Sequence, residues 1–230
     1  MLNVDVITSS LPLYLGGTAV TLQLLVVALS AGLVAAIPLA VMRASPNPWL
    51  SRPVWLFTYV FRGTPLLVQL FLIYYGLAQF SWMRESAAWP LFASAWFCAM
   101  LAFAINTCAY TIEIIAGAIA ATSHGEVEAA RALGMSPFTL TRRILLPSAL
   151  RRALPAYSNE VIMMLHGTSL ASIVTLLDIT GAAREVNSKY YLPFEAFLTA
   201  AGFYLALTFI LVSLFHLAEK RWQVHLAPRT

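Results

Sequence analysis

The sequence predicts an all-α polytopic membrane protein with five transmembrane helices. Three observations carry that prediction. The chain has 230 residues, of which 60% are hydrophobic and 10% charged, against about 25% charged in an ordinary soluble domain. With 14 basic and 10 acidic residues it cannot clothe a water-soluble surface, and the same composition excludes disorder. The charges are also clustered. None lies between Asp5 and Arg43, Arg62 and Arg84, Glu85 and Glu113, Glu160 and Asp178, or Glu195 and Glu219. Each gap suits a helix of about 20 apolar residues, enough to cross roughly 30 Å of hydrocarbon; the gap after Glu160 needs its flanks. Finally, the apolar runs are continuous, whereas barrel strands alternate over segments of about ten residues.

The elements are taken in chain order. The first span is placed at 18–42. Met1 to Ser10 contain Asp5 and neither Lys nor Arg, which does not fit the basic start of a cleavable signal. Pro53 to Phe61 is expected along the cytoplasmic interface, anchored by Trp55 and Tyr59. Arg62-Gly63-Thr64-Pro65 then marks a break, with Thr64 as cap and Pro65 in the first turn of a second span at 64–82. The third span, 93–121, holds Cys98 and Cys108 about 15 Å apart along one axis, too far for a disulfide. A cytoplasmic insert, about 123–154, interrupts an otherwise single transmembrane domain covering 1–230. Within it Gly125 to Leu133 is predicted helical, with Gly134 as a left-handed stop. Ser136 and Pro137 start a second helix that Pro147 is expected to interrupt. The fourth and fifth spans are placed at 155–177 and 196–217.

Lys and Arg positions set the orientation. Eleven of the 14 basic residues fall on one face: Arg43, Arg52 and Arg62, five arginines of the insert, and Lys220, Arg221 and Arg229 of the tail. Arg84, Arg184 and Lys189 fall on the other. The positive-inside rule therefore predicts an external N-terminus and a cytoplasmic C-terminus. The net charge of +4 needs no nucleic-acid partner. A helical hairpin tethered to the membrane at both ends is likewise badly placed to enter a major groove.

The insert carries the most specific pattern: Glu128-Ala129-Ala130, three residues, Gly134, nine residues, Ile144, one residue, Leu146-Pro147. It matches the EAA signature of ABC-importer membrane subunits. Phe61 to Leu70, Asn106 to Tyr110, Leu146 to Arg151, Leu154 to Leu165 and Ala218 to Trp222 add to the likeness. Together they resemble the M-type membrane subunits of histidine/lysine/arginine/ornithine permeases, close to arginine/ornithine systems, over nearly the whole chain. The resemblance implies a type I-like permease fold whose EAA helix couples to an ATPase through Glu128, Ala129, Ala130, Arg131 and Gly134. It further implies a bacterial inner-membrane location, a second Q-type membrane subunit, two copies of an ATP-binding subunit and an extracytoplasmic amino-acid-binding protein. ATP is expected on that partner, because no Gly-Lys pair exists here to build a P-loop, and no cofactor or metal is expected on this chain.

Two carboxylates sit within apolar helices, where a charge costs at least about 2.5–3.5 kcal/mol and so faces a cavity or a partner. Asn106, Tyr110, Glu113 and Gly117 share one helical face. The fourth span adds Asn159, Glu160, His166, Thr168, Ser169, Ser172 and Thr175. These faces are expected to line a translocation cavity for a basic amino acid, with Glu160, Asn159, Glu113, Tyr110 and Ser169 as candidate contacts and Glu160 first among them. Internal ion pairs compete: Glu113 with the loop arginines, Glu160 with Arg151 or Arg152. Within transport, a different polar amino acid or an opine is the alternative substrate. Outside it, an intramembrane hydrolase would use Ser169 or Cys108 with His166, although neither Gly-x-Ser-x-Gly nor His-Glu-x-x-His occurs. No catalytic residue is expected.

Overall fold

The computed structural model describes residues 3–222, so Arg229 of the basic tail lies outside the described residues. Every regular element among them is helical. α1 spans Val4–Arg43, 40 residues in all, begun by Asn3, whose side chain accepts from Val6 N. At 1.5 Å per residue that is about 60 Å, well beyond the expected 18–42. Hydropathy marks only the part of a helix that lies in lipid, so it underestimates one that continues past it.

α2 (Pro48–Gly63) starts on an Asn47 cap with Pro48 in its first turn. It meets α3 (Leu66–Phe71) and the π and 3₁₀ turns that extend α3 to Gln79 at 101°. The expected anchors Trp55 and Tyr59 stand out from α2, 46% and 65% exposed, and Trp49 more so at 87%. Short helices α4 (Ser81–Arg84) and α5 (Trp89–Phe92) lead into α6 (Ala95–Ala120), within two residues of the expected third span at each end.

The insert begins with α7 (His124–Ala132), capped by Ser123, and α8 (Pro137–Leu140), capped by Ser136. Pro147 does not interrupt the helical path beyond α8. Thr141–Leu145 form one π turn, closed by Leu146 N on Thr141 O, and α9 runs on through Leu146–Gly167. A proline cannot donate to the preceding turn; here it sits at the start of α9, where the wider turn accommodates it. A 3₁₀ segment continues to Val174, and Thr175 turns left-handed at φ 68°.

The sequence reading leaves residues 178–195 as an outer loop, but they contain α10 (Ile179–Tyr190), bent 46° from the helix before it. Asp178 caps it, accepting from Gly181 N at 2.9 Å and Thr180 N at 3.3 Å, with Tyr204 Oη donating at 3.1 Å. α11 (Pro193–Trp222) completes the fold. Three helices are individually long and apolar enough to cross a membrane, and up to five spans result if each bent pair counts as one.

Helix α1 organises the packing. Its middle joins α3, α6 and α9 in one buried cluster. Its C-terminal third joins α2, α6 and the root of α9 in a second, and its N-terminal third joins α10 and α11 in a third. The α1–α6 contact is close enough to require glycine. A Cβ on Gly32 would stand 2.5 Å from Thr107 Cγ2 and 3.0 Å from Ala104 O.

Candidate functional site

Asn106, Tyr110 and Glu113 do share one face of α6, and all three face the α2–α3 elbow. Glu113 Oε1 accepts from Arg43 Nε at 2.8 Å and from Thr58 Oγ1 at 2.6 Å. One turn up, Arg62 Cζ lies 5.1 Å from the Tyr110 ring centroid, within cation–π range. One turn further, Asn106 Nδ2 donates to Gln69 Oε1 at 3.1 Å. The Gln69 amide reaches back to Phe61 O at 2.7 Å, Thr64 O at 3.0 Å and Thr64 Oγ1 at 2.8 Å. It thereby satisfies carbonyls at the open end of α2.

Thr64 is not the cap of α3. Its hydroxyl donates to Val60 O at 2.9 Å, and Pro65 takes the cap position with no side-chain bond. The break is where the sequence places it, but its chemistry belongs to Gln69. Neither Thr58 nor Gln69 is a candidate contact in the sequence reading, yet an amide within an apolar span is itself a signal, because lipid offers it no partner. An open cleft of about 420 Å³ remains beside the elbow, lined by Arg43, Trp55, Thr58, Tyr59, Arg62, Gly63 and Glu113.

The polar face of α9 is arranged differently. Glu160 is buried, 9% exposed, and Arg43–Glu113 is the ion pair found among the described residues. The buried Thr107 hydroxyl of the neighbouring α6 has no hydrogen-bond partner among the described residues. Neither rival arginine pairs with Glu160. Arg152 is bound to α6 and its following turn, and Arg151 lines a groove with Pro147, Leu150, Arg221 and Trp222. Beside Glu160, Ala156, Asn159, Met163 and His166 form an uncovered stripe, spaced i, i+3, i+7, i+10 along one side of the helix.

Ser169 is half-buried and donates to His166 O at 2.7 Å, while the His166 Nε2 meets Thr208 Oγ1 at 3.2 Å. Cys108 is buried in the α1–α6 packing. Neither the Ser169 hydroxyl nor the Cys108 thiol faces the imidazole, so the nucleophile–base geometry of a hydrolase is not assembled.

In the insert, Gly134 adopts φ +74°. Gly134 N donates to Arg131 O at 2.9 Å and Met135 N to Ala130 O at 3.2 Å, the paired bonds of a Schellman stop. Glu128, Ala129, Arg131 and Gly134 are exposed, whereas Ala130 is buried. The turn also presents Leu133, 78% exposed, and Phe138, 72% exposed. Neither residue is signalled by the charge pattern from which the insert is read.

Comparison with known proteins places this arrangement. Residues 28–224 match the model of the binding-protein-dependent transport system inner membrane component. The histidine/lysine/arginine/ornithine transport system permease protein HisM of Escherichia coli K12 is 51% identical over 213 residues, 92% of this chain and 90% of that protein. The nopaline transport system permease protein NocM of Agrobacterium fabrum is 45% identical, covering 99% of this chain and 95% of its own. Among solved structures, an amino acid ABC transporter crystallised with histidines superposes with TM-score 0.82 at 34% identity, over 93% of this chain and 96% of that one. The inward-facing MetNI methionine transporter shares the fold, with TM-score 0.70 at 21% identity over 92% and 94% of the two chains. The chain therefore belongs to the family of inner membrane components of binding-protein-dependent transport systems, and is a permease subunit that works with a separate ATPase and not an enzyme itself.

Proposed function

We propose that this permease subunit forms half of the pathway of an ATP-driven ABC importer of basic amino acids: arginine, ornithine, lysine and histidine. The observation that carries this reading is Glu160, a buried carboxylate without an ion pair among the described residues, beside the uncovered Asn159 stripe of α9. A substrate guanidinium or ammonium supplies the charge that such a group lacks. Asn159 on α9 and Ser169 on its 3₁₀ extension add polar contacts, while Glu113 and Tyr110 shape the pathway wall indirectly, by fastening the elbow to α6. HisM, at 51% identity, is named for these four substrates.

The five spans in this reading are α1, the α2–α3 pair with α2 at the interface, α6, α9 with its 3₁₀ extension, and α11. The N-terminus is periplasmic and the C-terminus cytoplasmic. The uncovered stripe faces a Q-type membrane subunit across the pathway, and an extracytoplasmic binding protein delivers the substrate. Helix α7 is the EAA coupling helix, seated on one of two ATPase subunits that bind the ATP. Glu128 and Arg131 supply polar contacts there, Ala129 and Ala130 permit close approach, and Gly134 makes the turn that presents Leu133 and Phe138.

The test is labelled-arginine uptake in cells lacking the chain, complemented by wild type or Glu160→Gln at equal membrane levels. A charge-assisted hydrogen bond is worth about 1.5–3 kcal/mol, so the variant loses uptake by about tenfold or more. Equal uptake by both chains removes Glu160 from the substrate site. Opine import is the second reading, favoured by the 99% coverage of this chain by NocM. Excess nopaline that suppresses uptake better than excess arginine selects it.

A further inference from the structure

The insert is joined to the membrane helices at two roots, the end of α6 and the start of α9, which are distant in sequence. Helix α7 packs chiefly on α8 and the π turn after it. A push on α7 therefore reaches the bundle through those roots. Their connection to each other decides whether both helices receive the push or only the nearer one.

Ala118 of α6 and Ala149 and Ala153 of α9 share one buried apolar cluster, and the side chain of Arg152 adds the directional, polar part of that connection. Near the end of α6, Ala121 N bonds Gly117 O, while Thr122 N tightens onto Ile119 O at 3.1 Å. That tightening takes Thr122 N away from Ala118 O, the acceptor it would have in a continuing α-helix. Arg152 Nη2 takes the place, donating to Ala118 O at 3.2 Å and to Thr122 Oγ1 at 2.5 Å. A cation at a helix C-terminus is also favoured by the helix dipole. Thr122 is buried, and the Arg152 Nε is enclosed with no acceptor among the described residues. Enclosure to this degree is not what a snorkelling surface arginine shows. Arg151, its neighbour, is exposed.

We propose that Arg152 is a positioning residue for energy coupling: by tying the end of α6 to the root of α9, it makes the two helices move as one body when α7 is displaced. The inference rests on the coupling role proposed for α7. Two hydrogen bonds from one nitrogen, each to its own acceptor on the α6 side, resist both sliding and rotation between the helices. Arg152 touches neither substrate nor nucleotide in this role, and acts through the rigidity of the joint.

The experiment uses the full complex with its binding protein in proteoliposomes, measuring substrate accumulated per ATP hydrolysed. Arg152→Ala is expected to lower that ratio by about threefold or more, the loss of a net hydrogen bond or two, while stimulated ATP hydrolysis persists. Arg152→Lys keeps the charge but shortens the reach and changes the direction of the donated bonds, and gives an intermediate ratio. Thr122→Val keeps the volume, removes one acceptor and lowers the ratio less. If Arg152→Ala does not assemble, Arg152→Lys and Thr122→Val decide. Ratios at the wild-type value in the variants that assemble, or ATP hydrolysis and uptake falling in parallel, overturn the proposal. The coupling role of α7 is checked separately with Ala129→Trp on its exposed face. Hydrolysis still stimulated by loaded binding protein in that variant defeats the coupling reading itself, whatever Arg152 does.

Discussion

Helices α6 and α9 both bring a polar face and one carboxylate into the apolar interior, and the two faces have opposite fates. On α6, three polar side chains are matched from the elbow or the end of α1: Glu113 by Arg43 and Thr58, Tyr110 by Arg62, Asn106 by Gln69. On α9, Glu160 has no ion pair among the described residues and Asn159 faces outward. A polar face inside a membrane helix thus has two uses, to fasten a neighbouring segment or to stay available to something else. Spacing along one helix cannot separate them, because the partners of α6 lie 37 to 70 residues away in the chain.

The sharpest way to break this contrast is Glu113→Ala. If the α6 face is a fastening, Arg43 is left half-buried without its carboxylate, a loss of about 1–3 kcal/mol. The amount of monodisperse protein in detergent and its melting temperature should fall, while uptake per folded molecule is kept. A normal melting temperature with lost uptake would move Glu113 to the other side of the comparison. A smaller effect is expected from the cycle of Gln69→Leu, Asn106→Leu and the double variant. Their coupling should be about 0.5–1.5 kcal/mol by thermal or denaturant unfolding. Additive single effects would show that the 3.1 Å contact does no fastening. The smallest stability effect belongs to the open face. Asn159→Ala should change stability by no more than about 0.5 kcal/mol, with its consequence confined to the KM for uptake. A large drop in melting temperature would mean that Asn159 is held within this chain.

Much of this architecture is legible from charge spacing. The apolar gaps locate α1, α6 and α11, and the Glu-Ala-Ala to Gly134 spacing locates the insert and its turn. Arg62 to Pro65 locates the 101° bend. The errors have physical causes. Pro147 is an interrupter only in a helix that cannot widen, and the π turn before it shows that this one can. Residues 179–190 carry Arg184, Glu185 and Lys189 among small Gly181, Ala182 and Ala183, so neither hydropathy nor bulk marks them as a packed helix. Yet Asp178 two residues ahead of Thr180 is a cap in the ordinary sense. For the candidate site, the polar residues themselves stand out plainly. Their division between fastening and availability does not, since it depends on how distant helices meet.

The reach of α1 has a consequence for how the protein is made. Val6 and Tyr14 belong to one buried cluster, Leu24, Leu25 and Ala28 to the next, and Ala36 and Ala40 to the third. Translation delivers this helix ahead of α2 to α11, and N-terminal parts of a chain begin folding first. Each later helix accordingly arrives beside a template already in the bilayer, with its docking position waiting: α6 at Gly32, α10 at Thr21, α11 at Tyr14, whose hydroxyl donates to Ala196 O at 2.8 Å. Biogenesis and the finished architecture thus share one axis, and a fault in α1 is inherited by every helix inserted after it.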